Sequence, residues 1–265
     1  MSKHRAAEQN AGRAASSEAL AGLANADGVP RYKAVKAAIT AALIAGEWAP
    51  GSALPEQVQL AERFGVSVGT LRKATDELVA ERILIRRQGL GTFVALHGPA
   101  RNRYHFFHIV ERDGTRELPE PQMLDFERGT ATDNEAAALE IAPAARVLRI
   151  TNLLSLRGEP AVLDTIVVAA ARFPGLTAAR FGQRDSTIYS LYQTEYGINV
   201  VRTREWLSAS AANRATARAL GMAPGTPVLT IKRIAYTYHD VPVELRLSAV
   251  DTRARAYEAE QGKEG

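Results

Sequence analysis

One stretch of this chain occurs twice. Residues 136–150 align with residues 217–231 at a constant offset of 81, with eight identities in fifteen positions: Ala136, Ala138, Leu139, Ala142, Pro143, Val147, Leu148 and Ile150 with their counterparts. An alanine-rich composition accounts for part of that match, but not for the shared order of helix end, proline turn and strand. Each copy continues alike. Residues 147–156 read as a strand, Gly158-Glu159-Pro160 as a turn and 161–168 as a returning strand; 228–238, Asp240-Val241-Pro242 and 243–250 repeat the pattern. Two helix-hairpin units predict a pseudo-symmetric antiparallel sheet. Further strands are expected at 104–110, 122–127 and 198–209, with a helix from about Thr187 to Tyr196, so residues 101–257 form an α+β domain.

The repeat leaves the first hundred residues unexplained, and 265 residues exceed what one core usually organises, about 250. A second domain is expected at 30–96. Tyr32, Val35, Ile39 and Leu43 lie on one stripe of a helix that starts after Pro30 and ends at Gly46. Leu54-Pro55 leads into a second helix near Glu56 with Leu60, Ala61 and Phe64 inward, and Gly65 ends it. Ser67 is placed to cap a third helix whose inner face is Leu71, Ala74 and Leu78. Two strand-like runs, 83–87 and 92–94, follow through Gln88-Gly89-Leu90-Gly91, which makes a helix-turn-helix with a wing. Residues 1–28, with Lys3, Arg5 and Arg13 among small polar residues, read as a disordered arm, and 258–265 as a polar tail.

An exposed third helix of this kind can enter the major groove while cations neutralise phosphates. Arg72, Lys73, Arg86 and Arg87 are the candidates, and ordinary solvated charge is the competing reading for each. The net charge of +4 permits nucleic-acid binding without requiring it. No apolar run approaches the ~20 residues of a membrane span. The absence of cysteine excludes disulfides and thiolate chemistry and agrees with a cytoplasmic location.

The ordered series Pro50-Gly51, Leu54-Pro55, Leu60-Ala61, Phe64-Gly65-Val66-Ser67, Thr70-Leu71-Arg72, Leu78 and Gly89-Leu90-Gly91-Thr92-Phe93-Val94 resembles the winged helix-turn-helix of GntR-type regulators. The resemblance implies that Ser67, Thr70 and Arg72 on the recognition helix, and Gly89 at the wing tip, approach DNA. Such regulators usually carry arginine early in the second helix and directly after the Val-Ser pair, where Val58 and Val68 stand. Neither valine can donate to guanine, so an unusual operator is expected, with Arg72 and Gln57 as polar readers. A solvent-facing role for Gln57 is the alternative.

The second half, with its two turn segments, Ser190-Leu191-Tyr192, Tyr196-Gly197, Glu244 and Asp251, resembles the UTRA effector domain of the HutC branch, which has a chorismate-lyase-like fold. That resemblance implies an effector in a cleft of the sheet, contacted at Asn152, Leu154, Asp164 and Glu244 and by residues at the start of the Thr187 helix. A helix N-terminus at Asp185, Ser186 and Thr187 also suits an anion by its unpaired N–H groups, although plain capping by Asp185 or Ser186 explains those residues equally. Relatives that sense phosphorylated amino sugars tend to have two arginines where Asn152 and Leu154 stand, which argues against a phosphosugar. Arg149 or Arg233 remain candidates for a carboxylate, with structural salt bridges as their competing role.

Enzymatic activity is the main alternative because fold does not fix function, and a ligand-independent DNA-binding scaffold is another. No nucleophile, general base or phosphate-loop pattern stands out, and His105 and His108 would point to opposite faces of a strand, so no metal site, cofactor or catalytic residue is expected. The expected partners are an operator in double-stranded DNA, a small-molecule effector and a second copy of the chain, paired through the second domain. Repression relieved by ligand is the favoured sign.

Overall fold

The computed structural model describes residues 29–97, 106–184 and 187–259. The chain forms two compact units that divide between Leu96 and His97. The expected arm at 1–28 and most of the expected tail at 258–265 lie outside the described residues.

In the first unit, α1 (Arg31–Ile44) begins directly after Pro30, and Val35, Ile39, Thr40 and Leu43 are its buried stripe. After Pro55, α2 (Gln57–Phe64) buries Leu60, Ala61 and Phe64 and stops at Gly65, whose φ of 62° is the left-handed conformation that glycine adopts without a Cβ clash. The third helix, α3 (Val68–Ala80), is capped by Ser67, whose hydroxyl accepts from the Thr70 N–H at 3.2 Å. Leu71, Ala74 and Leu78 are fully buried, so truncating either leucine to alanine would cost about 2–5 kcal/mol. The ribbon of β1 (Leu84–Arg87) and β2 (Gly91–Val94) pairs Leu84 with Val94 and Arg87 with Gly91, and its tip turns at Gly89, φ 72°. Three helices and this ribbon are the expected winged helix-turn-helix.

In the second unit, the short strand β3 (Ile109–Glu111) precedes β4 (Glu120–Thr130), α4 (Asp133–Leu139), β5 (Arg146–Leu156) and β6 (Glu159–Ala169). Helices α5 (Ala178–Gly182) and α6 (Ile188–Tyr196) follow, and then β7 (Arg202–Ala211), α7 (Arg214–Ala219), β8 (Pro227–Tyr236), β9 (Pro242–Val250) and β10 (Arg255–Tyr257). Six strands form one antiparallel sheet in the order β4-β5-β6-β9-β8-β7, while β3 pairs with β10. That order is the pseudo-symmetric sheet expected from the repeat.

The repeat runs deeper than the fifteen aligned residues. Thr132 caps α4 and Asn213 caps α7, again 81 residues apart. Glu140 and Gly221, and then Ala144 and Gly225, take the same left-handed conformations at equivalent points. The strand before each helix belongs to the unit as well, so β4-α4-β5-β6 and β7-α7-β8-β9 are the two copies. Several boundaries differ from expectation. The hairpin of the first copy turns on Arg157-Gly158, both with positive φ, so Glu159 and Pro160 are already in β6. The strand expected at 198–209 starts at Arg202 and runs to Ala211, and of the strand expected at 104–110 only 109–110 is extended, as part of a strand that runs to Glu111, residues 104–105 being outside the described set.

The sheet has two unlike faces because side chains alternate along each strand. One face carries Leu148, Ile150, Ile166 and Val168, packed with Phe173, Phe181, Ile188, Tyr189 and Tyr192 into the main core. On the other, α4 covers Val147, Val167, Ile234 and Leu245, and α7 covers Leu153 and Val228.

Candidate DNA-binding surface and effector site

The surface of the first unit is built on α3. Arg72 is exposed there, and Arg86 reaches the same stripe by pairing with Asp76, one turn further on, at 2.6 Å. Lys73 sits a step round the helix, its ammonium 4.1 Å from the Tyr32 ring centroid. Arg87 does not share this face. Strand alternation turns it to the other side of the ribbon from Arg86, where its guanidinium lies 4.5 Å from the Phe93 ring. At the N-terminus of α3, Ser67 and Thr70 hydroxyls share a 2.9 Å hydrogen bond. Gln57 is half-buried, and Val58 and Val68 are 56% and 42% exposed. Gly89 and Leu90 form an exposed wing tip.

In the second unit, the residues expected to meet an effector converge on the core-facing side of the sheet. Register pairs Asn152 with Asp164 and Asp164 with Ser248, so these three share one row across β5, β6 and β9. The adjacent row brings Arg246 opposite Arg233 and Ile166. Arg246, absent from the sequence expectations, is the centre of the cluster. Its Nε and Nη2 donate to the two oxygens of Glu244, each at 3.0 Å, and its Nη1 donates to Asp164 at 3.3 Å. From α6, Tyr189 Oη donates to Glu244 at 3.1 Å and Tyr192 Oη at 2.8 Å, which leaves a fully buried carboxylate with four donors. Burial, reinforced by that carboxylate, raises both phenol pKa values. Ser248 Oγ donates to Asp164 at 2.5 Å. Burial pushes the Asp164 carboxyl upward against the pull of Arg246.

The second unit matches the UTRA domain family over residues 116–254, and the first matches the bacterial regulatory proteins of the gntR family over residues 31–94. The chain belongs to the GntR family, in its UTRA-containing HutC branch. It is similar to the transcriptional repressor NagR of Bacillus subtilis, 27% identical across 82% of this chain and 88% of that one. A probable fructoselysine utilization operon repressor of Escherichia coli is 26% identical across 81% of this chain and 87% of its own. Among solved structures, the ligand-binding domain of a GntR-family regulator from Bordetella bronchiseptica superposes with a TM-score of 0.57 at 32% identity, covering 60% of this chain and 99% of that domain. The family is one of transcription regulators, which answers the enzymatic alternative. No helix among the described residues is long and apolar enough to cross a membrane.

Leu154 joins an apolar cluster with Ile109, Leu156, Val162 and Ile231. Thr187 itself caps α6, accepting from the Ser190 N–H at 3.2 Å, so the cap is neither Asp185 nor Ser186, both of which lie outside the described residues. The two arginines considered for a carboxylate are engaged. Arg149 is on the opposite face of the sheet, bound to Glu135 through Nε at 2.8 Å and Nη2 at 2.7 Å. Arg233 is buried, pairs with Glu205 at 2.5 Å and donates to the Phe106 carbonyl at 2.6 Å. His105 is outside the described residues; the His108 ring packs at a tilt against Tyr257, 5.2 Å between centroids, and burial lowers its pKa. No metal-competent cluster occurs among the described residues. A groove of about 240 Å³ opens on the face opposite the polar cluster, floored by Leu163, Thr165, Thr230, Leu247 and Ala249.

The UTRA unit also shows where its first residues are held. His97 donates its backbone N–H to Gln193 Oε1 at 2.9 Å, and its Nε2 lies 2.7 Å from Asn199 Oδ1. Its ring packs 5.6 Å from Phe106 and 6.0 Å from Tyr189, and Phe106 meets Tyr189 edge-on at 4.9 Å. The two residues that bracket 98–105 therefore rest on the tyrosine that bonds Glu244.

Proposed function

We propose that this regulator acts as a homodimeric repressor of a palindromic operator, released when a small-molecule effector binds the polar cluster of Asn152, Asp164 and Glu244, with Thr187 and Arg233 at its margin. The contact from Glu244 through Tyr189 to His97 and Phe106 carries the reading. An effector that alters the Glu244 network changes how His97, where the second unit begins, is held, and only a difference in its affinity for two states of the protein can move DNA occupancy. Gln57, Ser67, Thr70, Arg72, Lys73, Arg86, Arg87 and Gly89 form the DNA-binding set in this reading, with half-sites about one helical turn apart. A phosphosugar effector is disfavoured, since uncharged Asn152 and apolar Leu154 offer no positive charge to a dianion.

The test is a gel shift on DNA upstream of the chain's own gene, with random competitor, while metabolites that raise the thermal transition are added one by one. A competitor-resistant complex that dissociates with one hit is the expected result. Indiscriminate binding overturns the repressor reading in favour of a scaffold, and a specific complex that no hit releases removes the effector from the mechanism. Micromolar binding of hexosamine phosphates by titration calorimetry would overturn the exclusion of phosphosugars.

A further inference from the structure

Two side chains beside the Glu244 network keep buried polar atoms without hydrogen-bond partners. Asn152 has no exposed surface, yet neither its Oδ1 nor its Nδ2 has a hydrogen-bond partner. A side-chain amide left so in a protein interior forfeits about 1–3 kcal/mol and is rare unless something completes it. Arg184, which follows α5, is the second. Its Nη1 donates to the Phe181 carbonyl at 2.7 Å and its guanidinium lies 4.5 Å from the Phe181 ring, but its Nε is buried without a partner. Among the described residues no carboxylate pairs with it, whereas the buried Arg246 and Arg233 each have acids of their own. Burial and the nearby charge of Arg246 lower its pKa to about 10.

These groups belong to one place. Asn152 pairs in register with Met123 on β4, and the Met123 methyl lies 3.7 Å from where a Cβ on Gly182, two residues before Arg184, would stand. On its other side Asn152 adjoins Asp164, which binds Arg246, the charge that Arg184 feels.

We propose that the effector is a small hydroxycarboxylic acid, its carboxylate paired with Arg184 and its hydroxyl bonded to Asn152 beside Asp164. One unpaired guanidinium edge calls for one monoanion, and a carboxylate presents two oxygens in the spacing of a guanidinium fork. An amide with both donor and acceptor unmet is satisfied by a group that gives and takes one hydrogen bond, which a hydroxyl does. This assignment rests on the effector reading above and adds Arg184, which resemblance did not point to.

Sodium glycolate, the smallest molecule with both groups, is the probe, compared with sodium acetate, sodium phosphate and ethylene glycol at matched ionic strength by scanning calorimetry of the full chain. A ligand that binds only the native state raises its melting temperature by mass action. Glycolate is expected to raise the transition of the second unit most, acetate less, and phosphate and ethylene glycol no more than chloride. Arg184→Gln should abolish both carboxylate shifts. Asn152→Leu should erase the advantage of glycolate over acetate while keeping the acetate shift. Each variant without ligand should melt at or above the wild-type temperature, because each removes an unmet buried group; that readout also shows that the variants fold. The proposal is overturned if glycolate does no better than chloride, if phosphate matches it, or if Arg184→Gln keeps its shift. A different class of metabolite releasing the operator complex would sink the hydroxycarboxylate while sparing the effector reading; operator binding that no metabolite relieves would sink both.

Discussion

Arg246→Met tests the buried network most directly. Arg246 is 9% exposed and its guanidinium donates to Glu244 twice and to Asp164 once, while methionine has similar length and no charge. Removing one partner of a buried ion cluster costs about 3–5 kcal/mol, because the remaining charges stay desolvated without compensation. Glu244 would keep its tyrosine donors and Asp164 its serine, which holds the loss inside that range. With a urea m-value of about 2 kcal/mol/M, the midpoint of the second unit should fall by roughly 1.5–2.5 M at pH 7.5. The loss should also depend on pH with a definite sign. Asp164 already has a raised pKa from burial, and Arg246 is the largest influence holding it down. Without Arg246 the value rises further, so the folded variant takes up a proton that the unfolded chain does not. A raised folded pKa adds stability as pH falls through it, fully present below the unfolded value, and the deficit should shrink on acidification by up to about 1.4 kcal/mol per pH unit. Urea titrations of wild type and variant between pH 8 and 5, followed by Trp206 fluorescence in a Trp48→Phe background, measure both quantities. A deficit under about 1 kcal/mol at pH 7.5, or one that does not change with pH, would refute the view that Arg246 neutralises two buried acids.

Glu135→Gln isolates a different pair: Arg149, aided by the Thr132 backbone N–H, holds the Glu135 carboxyl down at about 2 despite partial burial. A lowered folded pKa contributes stability above the unfolded value that is lost as pH falls through the folded one, so the variant should be about 1–2 kcal/mol weaker at pH 7, after allowance for solvent screening, and equal to wild type near pH 2; a gap that persists in acid would count against the pair. On DNA, Arg72→Ala should cost about 1–3 kcal/mol on the operator and little on random sequence, whereas Arg86→Ala should weaken both alike and reduce the salt slope by about 1; equal losses for Arg72 would remove it from base reading. The exposed Val58 and Val68 suit thymine methyl groups in place of a guanine contact. Replacing operator thymines with deoxyuridine should therefore reduce affinity, and Val68→Ala should abolish that sensitivity; operators that bind equally well with thymine and uracil would refute the contact.

Much of the fold could be read because its signals are local or periodic. The three helices of the first unit followed from apolar spacing, Gly65 and the Ser67 cap, all of which act within one or two turns. The sheet followed from the repeat, since two segments with the same helix, turn and hairpin must offer equivalent edges, and pairing β6 with β9 joins them about a pseudo-dyad. Strand ends were harder. Nothing local separates residues 198–201 from the strand that begins at Arg202, because that boundary is set where pairing with Tyr236 begins. The extension of the repeat to β4 and β7 was hidden for a related reason: edge strands bury little, so selection for apolar alternation there is weak and the copies share few residues.

The polar cluster shows where reading residues one at a time stops. Asp164 and Glu244 were reached by resemblance, but Arg246 was not, because its role depends on Asp164, 82 residues away, which only the sheet register brings within reach, beside Glu244 on its own strand. Arg233 looked available in the sequence and is spent on Glu205 and Phe106. Arg184 is the reverse case. As a sequence letter it is one of many arginines beside a helix start; what sets it apart is a buried Nε without a hydrogen-bond partner, a property of the folded surroundings that no motif encodes. An unmet donor and an unmet amide are destabilising by themselves, and the proposed hydroxycarboxylate would supply what each lacks, an anionic acceptor for the Arg184 Nε and a hydroxyl for the Asn152 amide.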